Sequence, residues 1–202
     1  MDVRTKILEE ATRLFAAHGV DGTALQEIAD AVGVKKPSLL YHFPSKEALH
    51  ASVLEDLLSR WNEIVPRLLH AVAREDRFDA VLDACIAFFT ADPDRARLLL
   101  REAIDRPGEM RALLSTHVTP WLGVMAESIK KAQADGSMRK TVDAEAYILQ
   151  IIHMVIGTFT VGATVQVLLG HSGSNGRPKR GSIDPRLTAE LKRVARIALK
   201  QE

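Results

Sequence analysis

Hydrophobic residues recur at helical spacing along almost the whole chain. In the first predicted helix, over about residues 5–18, apolar side chains at positions 7, 8, 11, 14 and 15 share one face, and Gly19 follows as a candidate C-cap. No stretch shows convincing period-two alternation of polar and apolar residues, and neither a βαβ pattern nor an internal repeat is present. The pattern therefore predicts an all-α protein.

Two short helices are predicted next, over about residues 23–32 and 35–43. Thr23 and Gln26 have the spacing of a capping box, in which the hydroxyl and the amide satisfy N–H groups at the start of a helix. Gly33 lies between the two helices and can adopt the positive φ that a tight turn requires. The pair is therefore predicted to form a helix-turn-helix.

The remainder of the chain divides into six further helices, which makes nine in all. N-caps are predicted at Ser45, Asp92 and Asp184, and Pro120 is predicted to bend one long helix. The six helices are one that follows Ser45 and those over about residues 78–91, 93–105, 109–134, 142–169 and 185–202. We therefore expect a helix-turn-helix domain over 1–48 and a larger helical domain over 49–202.

The apolar stretch at residues 147–169 is long enough to span a bilayer. It contains Gln150, His153 and Gln166, however, and no tryptophan or lysine belt flanks it. The better interpretation is a helix that is buried nearly all round, as at a subunit interface. No membrane association is expected.

The overall charge is nearly balanced, with 27 Lys and Arg against 26 Asp and Glu in 202 residues. A net charge of +1 excludes a protein that coats nucleic acid by bulk positive charge. The basic residues are unevenly placed, however, because Lys35, Lys36 and Lys46 lie in a segment (35–46) with no acidic residue. The distribution therefore permits a small basic patch on a nearly neutral protein.

Cysteine content and the N-terminus indicate the compartment. A single cysteine, Cys85, cannot form an intramolecular disulfide or a cysteine-based zinc site, which favours a reducing environment. The first residues turn amphipathic at once and show no continuous apolar region of a signal peptide. We therefore expect a cytoplasmic protein.

The second helix of the predicted helix-turn-helix carries many hydrogen-bonding side chains in the segment without acids. Lys35, Lys36, Ser38, Tyr41 and His42 together offer the phosphate contacts and polar tips that insertion into a DNA major groove requires. An ordinary corner of two helices with a solvated charged face would show a similar pattern. The residue pattern favours DNA binding over that alternative.

Specific runs of sequence in this region resemble the N-terminal domain of TetR-family transcriptional regulators. The runs are FAAHG (15–19), TALQEIA (23–29), GV (33–34) and LLYHFPSKEAL (39–49). The remainder resembles that family only in plan. The resemblance implies a DNA-binding regulator, most commonly a repressor, whose first three helices bind a palindromic double-stranded operator. It also implies C-terminal helices that bind a small organic effector and form a homodimer through the last two, with release of DNA when the effector moves the fourth helix.

The resemblance also implies which residues contact DNA. They are Thr23, Lys35, Lys36, Pro37, Ser38, Tyr41, His42 and Lys46. The first and last would hold phosphates at the starts of the second and fourth helices, and the others would contact bases and backbone from the reading helix. Pro37 would pack on a thymine methyl, or it serves only to start the helix. Where the family usually carries tyrosine this chain has Leu40, so one phosphate contact is lost or passes to Tyr41.

No combination of residues predicts catalysis, a metal site or a cofactor, and we expect no enzyme activity. The effector pocket is expected among the C-terminal helices, lined by aromatic residues and a few polar ones that suit a mostly apolar ligand. The candidates are Trp61, Phe88, Arg101, His117, Trp121, Met125, His153 and Phe159. Each could equally be a core residue, and Arg101 could bind a ligand carboxylate or pair with Glu102 or Asp105. Alternatively, the C-terminal domain responds to a protein partner or has no ligand.

The loop at residues 170–184 is rich in glycine and carries Arg177, Lys179 and Arg180. It is predicted to be a solvated connection between the two dimerisation helices. Contact of its basic residues with DNA or an acidic partner is the alternative.

Overall fold

The computed structural model describes residues 2–71, 77–169 and 183–200, and all regular structure within these ranges is helical. The all-α class predicted from the sequence is confirmed. The described residues form ten α-helices and a 3₁₀ turn at Gln166–Leu169. The α-helices are α1 (Val3–His18), α2 (Leu25–Val32), α3 (Lys36–His42), α4 (Lys46–Ala71), α5 (Arg77–Ala91), α6 (Asp94–Asp105), α7 (Pro107–His117), α8 (Thr119–Ala134), α9 (Ala144–Val165) and α10 (Pro185–Leu199).

The additional helix comes from the segment that was predicted as one bent helix over 109–134. Helix α7 ends at His117, and α8 begins at Thr119. Pro120 lies in the first turn of α8, where its missing N–H would have no helical partner, so the proline starts a new helix instead of bending a continuous one. The prediction of nine helices was therefore wrong at this point.

Side-chain caps fix several helix starts where the sequence predicted them. Ser45 Oγ accepts from the Ala48 N–H at 3.0 Å. Asp92 Oδ1 accepts from the Asp94 N–H at 3.1 Å, but the prediction of Asp92 as the N-cap is wrong by one position, because Pro93 is the N-cap of α6. Asp184 accepts from the Arg186 N–H at 2.9 Å. Each carboxylate or hydroxyl satisfies a backbone N–H that the helix itself cannot.

The first three helices share a small core that continues into α4 and α6. Ile7 and Phe15 from α1, Ile28 from α2 and Leu39 from α3 are fully buried. Helix α1 packs against α2, α4 and α6, which joins the N-terminal helices to the rest of the chain. The domain boundary expected between residues 48 and 49 lies inside the first turn of α4, so this single helix belongs to both parts.

Helix α9 crosses the C-terminal part and packs against α5, α6, α8 and α10. Among the described residues, Ala144–Leu169 is the one helical stretch long and apolar enough to cross a membrane. Val155 and Phe159 on its inner side are buried, whereas Leu149 and Val161 on its outer side are exposed. The single chain therefore leaves one apolar side of this helix uncovered, and burial nearly all round at a subunit interface stays a prediction.

Candidate nucleic-acid interface and effector cavity

Gly33 makes the turn between α2 and α3. It adopts φ 77° and ψ 31°, the left-handed region in which other residues are strained. Its N–H donates to the Asp30 carbonyl at 3.1 Å, and the Val34 N–H donates to the Ala29 carbonyl at 2.9 Å. These two bonds end α2 and direct the chain into α3, as the helix-turn-helix prediction requires.

Helix α3 has a buried face and an exposed face. Leu39 is fully buried and Phe43, just beyond the helix, is nearly so, which fixes the helix on the small core. The predicted DNA-contacting residues Lys35, Lys36, Pro37, Ser38 and Tyr41 are all exposed. No acidic side chain in the described part of the chain forms an ion pair with either lysine, so both ammonium groups can bind an external anion.

The end of α3 carries two rings side by side. Tyr41 is 86% exposed, and its ring stands edge-on to that of His42 with centroids 5.4 Å apart. Leu40, by contrast, is half-buried. The exposed hydroxyl of Tyr41 can therefore make the phosphate contact that Leu40, one position earlier, cannot make.

Thr23 faces the protein interior. It is 1% exposed, and its hydroxyl donates to the Gly19 carbonyl at 2.7 Å and to the Leu14 carbonyl at 3.3 Å, both near the end of α1. Ala24 is the N-cap of α2, without a side-chain bond, and Gln26 donates instead to Asp30. The predicted capping box is therefore wrong. The hydroxyl is also not positioned for the phosphate contact, because it is buried and donates to the carbonyls of Gly19 and Leu14.

Lys46 connects the start of α4 to the start of α2. Its Nζ donates to the Thr23 carbonyl at 3.2 Å and to the Asp21 carbonyl at 3.4 Å. An ammonium group has three N–H donors, so these bonds leave one for a phosphate. The same contact fastens α4 to the helix-turn-helix.

Arg4 belongs to the same surface, although the sequence did not single it out. Its guanidinium lies 5.2 Å from the centroid of the Phe43 ring, beside the end of α3. The side chain is exposed and has no acidic partner among the described residues. In the sequence Arg4 resembles Lys6 and Arg13 on the same helix, and only the tertiary packing distinguishes it.

An apolar cavity lies among α4, α5, α8 and α9. Its lining includes Trp61, Cys85, Trp121, Met125 and Val155, and none of the described residues around it carries a charge. The space amounts to about 40 Å³, well below the ~150 Å³ that holds a benzene molecule in a protein core. An organic ligand would therefore have to push the surrounding helices or side chains apart.

Three of the predicted effector residues, Trp61, Trp121 and Met125, line this cavity together. The two indole rings are 5.9 Å apart in an edge-on arrangement. Phe88 packs against Trp61 on a side away from the cavity, and Phe159 packs against Phe89 in the core, so neither lines it. The remaining lining residues are mostly aliphatic, and the sequence does not distinguish them from ordinary core residues.

The polar candidates have other partners or lie elsewhere. Arg101 donates to the Ala17 carbonyl at 3.4 Å and lies 3.9 Å from Asp105, so the alternative of an internal salt bridge is confirmed. His117 on α7 contacts Asn62 and Glu55 on α4, at 2.8 and 3.2 Å. His153 is exposed on α9. None of these three lines the cavity, because each engages a neighbouring helix or solvent.

Three buried polar atoms in the described part of the chain have no hydrogen-bond partner. One is Nε1 of Trp121, in a side chain that lines the cavity. The other two are Nε2 of His50 and Oε2 of Glu102. The same His50 Nε2 lies 2.9 Å from Oε1, the other carboxylate oxygen of Glu102. A buried unpaired donor or acceptor destabilises a protein by roughly 1–3 kcal/mol, so such atoms mark places of strain or of ligand contact.

Burial raises the pKa of the Cys85 thiol from 9.0 to about 12. At pH 8 this shift lowers the thiolate fraction about 1,000-fold, and the greater nucleophilicity of a thiolate of higher pKa offsets part of that loss. We therefore expect the native protein to react with a thiol reagent at least about 10-fold more slowly than the urea-unfolded chain. The rate is measured with 5,5′-dithiobis(2-nitrobenzoic acid) in both states. Equal rates would show that the cavity wall opens readily to solvent.

Among the described residues, no group of three histidine, cysteine, aspartate or glutamate side chains comes close enough to hold a metal ion. Arg177, Lys179 and Arg180 of the predicted basic loop lie outside the described residues. The structure therefore leaves their predicted role untested.

Comparisons with known proteins identify both parts of the chain. The family "Bacterial regulatory proteins, tetR family" matches residues 7–53, and "Tetracyclin repressor-like, C-terminal domain" matches residues 75–179. The HTH-type transcriptional repressor KstR2 of Rhodococcus jostii is 31% identical over 151 residues, which is 70% of this chain and 71% of that protein. The two family models cover the reading helix α3 and the cavity-lining helices α5, α8 and α9.

Solved structures agree in fold. The ketosteroid transcriptional regulator KstR2 of Mycobacterium tuberculosis superimposes with a TM-score of 0.75 at 16% identity, over 100% of this chain and 96% of that one. AibR, solved with isovaleryl coenzyme A and operator DNA, gives a TM-score of 0.72 at 22% identity over 96% and 97% of the two chains. The relatives are DNA-binding regulators without enzyme activity. The chain therefore belongs to the TetR family of bacterial transcriptional regulators.

Proposed function

We propose that this TetR-family regulator is a cytoplasmic repressor that binds a palindromic operator as a homodimer and leaves it when a small organic effector binds. The observation that carries the proposal is a single helix, α4, which is fastened to the helix-turn-helix at one end and lines an apolar cavity further along. That arrangement supplies a DNA-reading surface, a ligand site and a rigid connection between them.

Operator contacts are assigned from exposure and charge. Lys35 and Lys36 meet phosphates or guanine edges, while Pro37 and Ser38 lie against bases. Tyr41 and His42 complete the surface at the far end of α3. Thr23 and Lys46 were the two residues predicted to hold phosphates at helix starts, and we keep that role for Lys46. Arg4, beside α3, supplies a phosphate contact in place of the Thr23 hydroxyl.

Release follows from a displacement of α4. Trp61 at the cavity and His50 near the N-terminus of α4 are eleven residues apart, which is about 16 Å along a helix. A ligand larger than the present cavity displaces Trp61, and a rigid helix carries that displacement to Lys46 and its bonds with the loop before α2. The two reading helices of a dimer then lose the spacing of the operator half-sites.

The apolar lining favours an effector with a hydrocarbon part. AibR, which shares this fold, is solved with isovaleryl coenzyme A, a branched aliphatic thioester. The aliphatic acyl part of such a ligand suits a cavity that is bounded by indole and aliphatic side chains and that lacks a charged group, provided that the cavity enlarges. The proposal is tested by selecting duplexes from a random pool, then titrating organic ligands against the selected site. A failure to enrich any palindrome at 0.1 M salt contradicts it. Retained DNA binding with no response to any ligand favours the alternative of a protein partner or no ligand.

The homodimer is assigned to the uncovered apolar side of α9 and α10, where Leu149, Val161, Val194 and Ile197 are exposed. We expect Val161→Asp to raise the dimer dissociation constant at least about 100-fold, because a buried carboxylate at the interface would have no counter-charge. Sedimentation velocity measures it. Val124→Asp, an equally exposed valine on α8, serves as the control. A dimer of unchanged stability in the Val161 variant contradicts the assignment.

The contact assigned to Arg4 is tested by Arg4→Ala. We expect operator affinity to fall about 60-fold at 0.1 M salt, because the slope of log K against log salt becomes flatter by about 0.9 for each of the two half-sites. Arg13→Ala, on the same helix but paired with Glu10, should leave both quantities unchanged. Fluorescence anisotropy of a labelled operator gives both values. Equal affinities for the two variants would exclude Arg4 from the interface.

A further inference from the structure

The indole N–H of Trp121 is a buried hydrogen-bond donor in the wall of the proposed effector cavity. The side chain is 8% exposed and lines the apolar cavity, and its Nε1 has no acceptor among the described residues. Tryptophan is a hydrogen-bond donor only, so an acceptor must come from a molecule in the cavity if the group is to be satisfied. The cavity therefore has a directional polar contact as well as an apolar wall.

The charge of the lining restricts what that molecule can be. No described residue around the cavity carries a charge, and Arg101, the cation predicted to bind an effector, donates instead to the end of α1. A carboxylate placed there would be buried without a counter-charge, which is strongly unfavourable. A hydroxyl or amine would bring a donor of its own that the aliphatic wall cannot satisfy. An acceptor that is neutral and carries no donor fits best.

We infer that the cavity takes a hydrocarbon bearing one neutral carbonyl group, and that Trp121 Nε1 donates a hydrogen bond to that carbonyl oxygen. This inference rests on the proposed effector function and names its ligand class. The carbonyl belongs either to a free ketone or lactone or to the acyl end of a thioester, and both present the same oxygen to the indole. The hydrocarbon part displaces the aliphatic wall and enlarges the cavity.

The test compares probes that differ in one group. They are 2-octanone, 2-methyl-1-octene (in which a methylene replaces the carbonyl oxygen), octanoate at pH 8 and octanoyl coenzyme A. Binding is followed by the rise in melting temperature of the full chain, and release by anisotropy of its labelled operator. We expect the ketone, the thioester or both to bind, the ketone at least about fivefold more tightly than the alkene, and octanoate not to bind.

Variants locate the hydrogen bond. Trp121→Phe keeps an aromatic ring but removes the donor, and it should abolish the preference for ketone over alkene. Trp61→Phe makes the same change at a second indole of the cavity, one whose N–H is not a buried unpartnered group, and should retain the preference. If Trp121→Phe does not fold, the inference is tested by the relative affinity of the unaltered chain for ketone and alkene.

The outcomes separate this inference from the proposed function. Equal binding of ketone and alkene, tightest binding of octanoate, a preference that survives Trp121→Phe, or no binding of any probe overturns the inference. Binding by octanoyl coenzyme A alone supports it and identifies a thioester as the source. Operator binding is measured on the same preparation without probe, and its failure overturns the proposed function whatever the probes do.

Discussion

Replacing Lys35 and Lys36 together by alanine is expected to lower operator affinity about 4,000-fold at 0.1 M salt. Each lysine that neutralises a phosphate contributes about 0.9 to the slope of log K against log salt, and a dimer presents each lysine twice. Four lost contacts therefore flatten the slope by about 3.6 and remove a similar number of log units of affinity at that salt concentration. Both ammonium groups are exposed and have no acidic partner in the described part of the chain, so no internal pairing offsets the loss.

Anisotropy titrations of a labelled operator at several salt concentrations measure both quantities. The matched control is Lys131→Ala with Lys140→Ala, two exposed lysines outside the reading head, which should change neither affinity nor slope. A reading of guanine edges would add a second effect, since affinity for the operator would then fall more than affinity for unrelated DNA. An unchanged salt slope in the Lys35 and Lys36 variant would remove α3 from the phosphate contacts.

The helix-turn-helix could be predicted because its determinants are local. Gly33 permits the turn, Pro37 starts α3, and Pro44 with Ser45 separates α3 from α4. Each of these residues acts on neighbours within a few positions, so its effect is visible in one sequence. The same holds for the cap at Asp184.

Other features depend on contacts between distant segments and could not be predicted. The Thr23 hydroxyl has the spacing of a cap but bonds to carbonyls at the end of α1 instead. The position of Arg101 in the sequence does not show its partner, and its guanidinium reaches the carbonyl of Ala17, which is 84 positions away. Proximity of this kind decides which polar residue binds a ligand and which holds two helices together.

The cavity shows the same limit. Aromatic residues are few in the chain, so the sequence alone marks Trp61 and Trp121 as candidates for a ligand site. Aliphatic lining residues such as Ile148 and Val155 have the same sequence pattern as ordinary core residues. The unpaired N–H of Trp121 is a property of the packed structure alone. The class of ligand therefore depends on contacts in the cavity wall that are visible only in the folded structure.

Replacing Glu102 by alanine is expected to lower the free energy of unfolding by about 3 kcal/mol. The side chain is 2% exposed on α6, and its Oε1 lies 2.9 Å from Nε2 of His50 on α4. His50 in turn stands edge-on to Phe15 of α1, with ring centroids 5.7 Å apart. Truncating Glu102 leaves the imidazole buried without its partner and opens a void where three helices meet. Urea unfolding measures the loss, and Glu109→Ala, which is exposed on α7, should change stability by less than about 0.5 kcal/mol.

The pair of variants His50→Leu and Glu102→Met separates the polar contact from its packing. Each single change leaves one buried polar group alone and should destabilise the fold, whereas the double variant removes both groups and should recover most of the lost stability. The pair joins α4 to α6 beside α1. Measuring effector-induced DNA release with the stable double variant therefore shows whether release requires the polar contact between His50 and Glu102. Additive losses in the double variant would mean that His50 and Glu102 contribute independently. The connection between cavity and reading head would then rest on α4 and its Lys46 contact with the start of α2.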